Sequence, residues 1–221
     1  MIVAGLDEVG RGPIAGPLLV VAAAFSVDYW PVPCCEKHPA GMPVTCYDPK
    51  CPTAPPPCPV PKVKDSKAYS DGKQRSIVAN ALLECPKFLG RGRGIVSSTD
   101  LSNRGMTWAI NSAFDRAVSS LPVIPDLILV DGEMGVPSWP GQQLWGSKGD
   151  NKWWPVAAAS VLAKVERDGW MLKLSEIYPG YGWERNKGYG TKEHFEAIRA
   201  LGTSPVHRLS FLNRQLAPNK L

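Results

Sequence analysis

The sequence lacks the features of a membrane or secreted protein. No apolar run in its 221 residues approaches the roughly 20 residues that a membrane-spanning helix needs. Its amino terminus has no basic segment followed by an apolar core, which is the pattern of a secretory signal. We therefore expect a cytoplasmic protein that does not bind membranes.

The composition sets the size of the core and allows one kind of partner. Hydrophobic residues make up 44% of the chain, enough for one sizeable core, so we expect a single domain over residues 1–221. The net charge is +5, which is compatible with a polyanionic partner but does not identify one.

A segment at about 28–62 interrupts this domain with crowded prolines and no hydrophobic periodicity. It contains every cysteine except Cys85, yet none of them forms the paired C-x-x-C spacing of common zinc sites. Zinc in this insert is one interpretation. Because the adjacent Cys34 and Cys35 can hardly ligate one ion, we favour a proline-stiffened loop with free or disulfide-linked thiols.

Two neighbouring carboxylates, Asp7 and Glu8, stand at the end of an apolar strand predicted over residues 2–7. Adjacent carboxylates repel each other unless a cation or a proton intervenes, so the pair indicates a metal site. A regular strand would send them to opposite faces, and we therefore expect it to bend or stop near Glu8. The glycines of Gly10-Arg11-Gly12 leave backbone N–H groups open to a phosphate or sugar. A solvated polar turn is the alternative.

A third carboxylate, Asp131, ends a second apolar segment, predicted as a strand over 125–131. Ligands of α/β sheets bind at the carboxyl ends of strands, so we expect Asp7 and Asp131 at one rim. An aspartate that merely opens a turn is the alternative.

The helix predicted over residues 156–168 carries Ser160, Lys164 and Asp168 on one face. Asp168 is a candidate fourth carboxylate, although an exposed Lys164–Asp168 ion pair is the alternative. Further helices are predicted over 71–83, 105–120 and 191–201, and strands over 16–25 and 93–98. The segment between Gly132 and Lys148 is interpreted as a connection, and a short tail from about 212 as lacking clear structure.

A glycine-rich loop over 178–191 combines aromatic and basic residues, among them Lys187 and Tyr189. Aromatic rings beside cations can stack on sugars or bases and neutralise phosphates. The loop therefore indicates a nucleic-acid contact.

Taken together, these motifs resemble the ribonuclease HII family, the type 2 ribonucleases H. The resemblance extends over almost the whole chain outside the insert. It implies an α/β, ribonuclease H-like fold with a mixed central sheet flanked by helices and the insert after the second strand. The segments that carry it are 5–13, 65–67, 129–132, 157–168, 187–191 and 207–208.

The resemblance also implies an activity and a set of site residues. Members cut the RNA strand of RNA·DNA hybrids and cut at ribonucleotides embedded in duplex DNA, leaving 3′-hydroxyl and 5′-phosphate ends. The catalytic, metal-binding carboxylates would be Asp7, Glu8, Asp131 and Asp168, which as hard oxygen ligands favour two Mg²⁺ or Mn²⁺ ions. No covalent nucleophile is required.

The substrate would be read by other residues. Matching the family's motifs, the backbone of Gly10, Arg11 and Gly12 would contact the ribose 2′-hydroxyl, and Tyr189 would stack on the adjoining deoxyribose. Our candidates for phosphate contacts are Lys67, Ser160 and Lys164. We expect a monomer.

Two alternatives keep some of these features. One is a non-catalytic nucleic-acid-binding module that uses the cysteine-rich insert, and the other is a metal-dependent DNase on the same fold. The first is disfavoured because clustered carboxylates oppose the binding of a polyanion.

Overall fold

The computed structural model describes residues 1–28, 60, 63, 66, 69 and 71–215, without the side chains of 213–215. Apart from Asp28 and Val60, the insert predicted at about 28–62 lies outside the described residues. The predictions about its cysteines and about zinc therefore fall outside them as well. Lys67 and the last six residues of the tail also lie outside them.

The described residues form five strands and eight helices. The strands are β1 (Ile2–Val9), β2 (Leu18–Ser26), β3 (Phe88–Val96), β4 (Leu127–Asp131) and β5 (Gln142–Gly146). The helices are α1 (Gly72–Leu83), α2 (Ser98–Arg104), α3 (Met106–Ser119), α4 (Gly149–Lys152), α5 (Trp154–Ile177), α6 (Trp183–Asn186), α7 (Lys192–Leu201) and α8 (Leu209–Gln215). Across the described ranges, every helix is too short or too polar to span a lipid bilayer.

The strands make one mixed sheet in the order β3-β2-β1-β4-β5. β1 pairs antiparallel with β2, and β2 does so with β3. β4 runs parallel to β1 and β5 runs parallel to β4. The carboxyl ends of β1, β4 and β5 therefore meet at one edge, as parallel strands require. The prediction of a mixed sheet flanked by helices is confirmed.

Helices cover both faces of the sheet. On one face Leu6 and Val20 pack in a cluster with residues of α3. On the other face Leu19 and Val21 pack with α5 and α1. Because β2 lies between these layers it is buried on both sides, which explains why its sequence is continuously apolar rather than alternating.

Several predicted boundaries are wrong, for local reasons. β3 begins at Phe88 instead of 93 because its glycines weaken the strand pattern, yet α3 needs them: a Cβ on Gly94 would lie 1.7 Å from the carbonyl oxygen of Ala113. The segment interpreted as a connection contains β5, a partly exposed edge strand. The helix expected from 105 is preceded by α2, and the start of the tail is helical as α8.

A separate cluster at the carboxyl-terminal end of the chain contains two buried histidines. His194 is 0% exposed and His207 is 3% exposed. His194 Nδ1 donates to the Tyr189 carbonyl at 2.9 Å, which leaves Nε2 to accept from Trp183 Nε1 at 2.9 Å. His207 Nε2 then donates to His194 Nε2 at 3.1 Å, and its Nδ1 accepts from the Ser204 N–H at 2.8 Å. Both imidazoles are therefore neutral in the folded protein.

This arrangement predicts that the chain loses stability in mild acid. Burial, reinforced by the neighbouring His194, lowers the pKa of His207 from 6.5 to about 4. Between pH 6.5 and about 4, His207 is protonated in the unfolded chain but remains neutral in the folded chain. The free energy of unfolding therefore falls as the pH decreases. We expect urea unfolding to show a drop from pH 7 to pH 5 that is smaller in His207→Gln by about 2 kcal/mol. Equal drops in both proteins would contradict the assignment.

Candidate active site

The carboxyl ends of β1 and β4 place two predicted carboxylates side by side. The strands are parallel neighbours whose pairing ends at Leu6 and Val130. Asp7 and Asp131 each follow directly after these residues. The expectation that both carboxylates lie at one rim of the sheet is therefore met by the fold.

Glu8 joins them close to the end of β1. β1 stays paired with β2 through Val9 and ends there, one residue beyond Glu8, so the expected stop near Glu8 is confirmed. Pairing with β4 already stops at Leu6, which leaves that side of β1 open from Asp7 onward. Around this open edge both adjacent carboxylates come near Asp131, whose charge raises the pKa of each.

Asp7 and Glu8 face different layers of the fold. Asp7 is buried on the side of α5, where a hydrogen bond with Ser160 supports its carboxylate. Glu8 lines a cavity of about 480 Å³ that extends to Asn111 of α3. Its Oε1 lies 3.2 Å from Arg11 Nη1. One carboxylate is thus held by the protein interior and the other by a surface cation.

Asp150, which the sequence analysis did not select, completes this group. β5 pairs parallel with β4, so α4 starts at the same edge of the sheet. The Gly149 N–H donates to Asp131 Oδ1 at 2.7 Å, and the next residue, Asp150, is 8% exposed with a charge that raises the pKa of Asp7. Recognition of β5 as a parallel strand would have marked Asp150 as a strand-end carboxylate.

The structure does not bring Asp168 into the group. Its Oδ1 lies 2.7 Å from Lys164 Nζ and its Oδ2 lies 3.3 Å from Arg75 Nη1. Asp168 follows Ser160, the α5 residue next to Asp7, by two helical turns, which is about 12 Å along the axis. The ion pair that we held as the alternative for Lys164 and Asp168 is the arrangement observed.

The electrostatics of the group call for a cation. Burial raises the pKa of Asp7 well above its usual range, and the charges of Glu8, Asp131 and Asp150 raise it further. Burial also raises the pKa of Glu8, against the opposing effect of Arg11. Four carboxylates are the oxygen donors that Mg²⁺ and Mn²⁺ prefer, so the donor set fits a divalent ion.

The carboxylates of the group are close together, but their oxygens are not arranged around one common metal position. Among the described residues, no three histidine, cysteine, aspartate or glutamate side chains could hold one ion as they stand. Glu8 is turned toward Arg11, so a bound ion would have to compete with that guanidinium for its oxygen.

The predicted ribose-reading residues do come together. Gly10 has a φ of +95°, a conformation that favours glycine, and begins the turn that follows β1. Gly12 is exposed, and a Cβ built on it would lie 3.6 Å from Cε1 of Tyr189. The Tyr189 side chain is 43% exposed. A loop of open backbone therefore lies against an accessible aromatic ring.

Two of the residues predicted to contact phosphate, Ser160 and Lys164, are engaged with other side chains. Ser160 is 4% exposed and its Oγ lies 3.0 Å from Ser66 Oγ. Lys164 is engaged with Asp168. Neither side chain is free to meet a phosphate in this conformation.

Comparison with known proteins agrees with this geometry. The family model described as Ribonuclease HII matches residues 60–214. A ribonuclease HII from Chlamydia pneumoniae is 41% identical over 210 residues, which cover 95% of this chain and 83% of the relative. The chain belongs to the ribonuclease HII family. It is therefore a metal-dependent endonuclease that acts on RNA/DNA hybrids, and the interpretation as a non-catalytic binding module is wrong.

Solved structures show that the ribonuclease H-like fold extends beyond the ribonuclease HII family. The ribonuclease H2 from Pyrococcus horikoshii is 24% identical, with a TM-score of 0.67 and coverage of 94% of this chain and 92% of that one. Bst-RNase HIII, crystallised in complex with Mn²⁺, is 20% identical, with a TM-score of 0.59 and coverage of 97% and 68%. Both likenesses concern the fold, an α/β architecture whose mixed sheet was expected from the sequence and whose fifth strand was not.

Proposed function

We propose that this ribonuclease HII cuts the RNA strand of RNA·DNA hybrids and also cuts at single ribonucleotides embedded in duplex DNA, leaving 3′-hydroxyl and 5′-phosphate ends. The observation that carries the proposal is the meeting of a carboxylate group, an open glycine-framed backbone and an exposed tyrosine at one edge of the sheet. A nuclease needs the carboxylate group to hydrolyse a phosphodiester. The open backbone and the tyrosine can distinguish ribose from deoxyribose.

We assign Asp7, Glu8, Asp131 and Asp150 as the residues that hold Mg²⁺ or Mn²⁺. Such ions, when bound, polarise the phosphodiester and lower the pKa of water so that it can attack. Their position is supported by the raised pKa of Asp7 and Glu8, which a neighbouring cation would relieve. Asp168 is the sequence-based choice that Asp150 replaces.

The surrounding groups keep these oxygens in place. Ser160 is hydrogen-bonded to Asp7, and the Gly149 N–H holds Asp131. Ser160 therefore supports the carboxylate group. The role predicted for it from the sequence was a phosphate contact. Arg11 restrains Glu8 until an ion competes for it.

Ribose recognition is assigned to the backbone of Gly10, Arg11 and Gly12 together with Tyr189. The glycines leave the backbone uncovered by side chains, so a sugar can approach its N–H groups. The 2′-hydroxyl accepts and donates hydrogen bonds, so a backbone N–H directed at it separates RNA from DNA. The Tyr189 ring beside Gly12 is placed to stack on the next sugar.

A cleavage assay tests the proposal. The protein is incubated with Mg²⁺ or Mn²⁺ and end-labelled duplexes of pure DNA, RNA·DNA hybrid, and DNA with one ribonucleotide. We expect cuts only in the two duplexes that contain ribose. Asp7→Asn controls for contaminating nuclease. Cleavage of pure DNA at a comparable rate would favour a DNase, and an uncut single-ribonucleotide duplex would remove that part of the proposal.

Two aspartate variants separate the competing assignments of the fourth carboxylate. Asp150→Asn should lower kcat on the hybrid by about 100-fold or more, because a charged metal ligand becomes a neutral amide. Asp168→Asn should retain activity close to that of the unmodified protein and lose about 1 kcal/mol of stability, because Lys164 and Arg75 lose their partner. The opposite pattern of activities would restore Asp168 to the site.

The role of Tyr189 predicts a difference between substrates. Tyr189→Ala should reduce kcat/KM at a lone ribonucleotide by about tenfold and have a smaller effect on a continuous hybrid, because the stacked deoxyribose exists only at an RNA–DNA junction. Tyr189→Phe keeps the ring and should behave like the unmodified protein. Equal losses on both substrates would contradict the stacking role.

A further inference from the structure

Two arginines, Arg167 and Arg208, are buried behind the ribose-reading loop, which we define as residues 10–17. Both are 0% exposed. Every hydrogen bond described for either guanidinium goes to a backbone carbonyl rather than to a carboxylate. Burying a charge without an opposite charge is costly, and an apolar side chain would fill the space at lower cost. Packing alone does not account for these residues.

Their contacts are concentrated on the ribose-reading loop. Arg208 Nε donates to the Gly16 carbonyl at 2.9 Å and Nη1 donates to the Arg11 carbonyl at 3.2 Å. Arg167 donates to the carbonyls of Ala15 and Pro17, at 3.2 and 3.1 Å. The two guanidiniums therefore hold the inner carbonyls of the loop at four points.

The contact with Arg11 sets the direction of the neighbouring N–H group. A trans peptide is planar, and its C=O and N–H point in opposite directions. Because Arg208 draws the Arg11 carbonyl inward, the N–H of the next residue, Gly12, points away from the core. Gly12 is exposed and lies against the Tyr189 ring, so this N–H is directed to the side where the sugar would lie.

Arg167 also ties the loop to the segment that carries Tyr189. Its Nη1 donates to the Lys187 carbonyl at 3.0 Å. The Gly188 carbonyl accepts from the N–H groups of Ile14 and Ala15, at 2.9 and 3.2 Å. The backbone donors and the aromatic ring, which are far apart in sequence, are therefore linked by hydrogen bonds.

We propose that Arg208 and Arg167 are positioning residues for ribose recognition: through the loop carbonyls they aim the Gly12 N–H at the 2′-hydroxyl and set its spacing to Tyr189. The inference rests on the proposed ribose-reading function. It goes beyond that function by placing the origin of specificity in two buried cations that do not touch the substrate.

The test compares binding of two short duplexes that differ only in one 2′-hydroxyl, measured by fluorescence anisotropy with Ca²⁺ in place of Mg²⁺. The quantity is the ratio of their Kd values, which is independent of the fraction of folded protein. In Arg208→Lys the charge remains, but a single ammonium cannot reproduce the fixed fork of a guanidinium across two carbonyls. We expect the ratio to fall about tenfold, as for one lost hydrogen bond.

Matched variants define the outcomes. Arg167→Lys should also lower the ratio, whereas Arg116→Lys should leave it unchanged, because Arg116 donates to the Ile95 carbonyl on β3 instead. An unchanged ratio in folded Arg208→Lys and Arg167→Lys would overturn the inference. Failure of both variants to fold would overturn it as well, since the arginines would then serve the fold alone. Equal binding of both duplexes by the unmodified protein would instead contradict the ribose-reading function itself.

Discussion

The gathering of like charges at one edge of a sheet is the constraint on which this structure depends. Asp7 is desolvated beside Glu8, Asp131 and Asp150. This arrangement is energetically unfavourable, so the surrounding elements must stabilise it. The apolar layers on both faces of β1 and β2 provide that support. Hydrogen bonds from α5 and from the start of α4 then hold individual oxygens. A divalent ion would relieve the repulsion that the fold tolerates.

Beside this acidic group the protein uses buried positive charge for a different purpose. Within the part of the chain that the structure describes, Arg167 and Arg208 contact no carboxylate; they bind carbonyls of the loop after β1. Carbonyls of this loop are thus bound in the interior, while the Gly12 N–H is turned toward solvent. Acidic side chains and this open N–H group can then lie next to each other, which would suit a substrate that carries a metal-bound phosphate and a hydroxyl on adjacent carbon atoms.

Much of this arrangement could be predicted from sequence where the signal is local. The strand predicted over 16–25 is β2, whose continuous apolar run fits its burial on both faces. The helix predicted over 71–83 is α1, and Asp71, a residue type that favours the N-cap position, accepts from the Lys73 N–H. Asp7 and Asp131 follow buried strands, so their place at the strand ends was readable. The stop expected near Glu8 falls at Val9, but pairing with β4 already ends at Leu6, which no local pattern reports.

The fourth carboxylate shows where local reasoning stops. β5 is a short, partly exposed edge strand with glutamine and tryptophan, so its sequence does not resemble a buried strand. For this reason Asp150, which lies shortly after it, was not predicted as a site residue. Asp168 stood out instead because it shares a helix face with Ser160, although two turns of helix separate them.

The sequence by itself determined the buried strands, the helix caps, the glycine-framed loop and the motifs of the ribonuclease HII family, because each of these depends on neighbours along the chain. Only the tertiary structure decided which carboxylates meet, since that depends on β5 pairing with β4 and on the distance along α5. It alone also showed that Arg167 and Arg208 converge on one loop, because the loop carbonyls they bind lie 150 to 197 residues away in sequence.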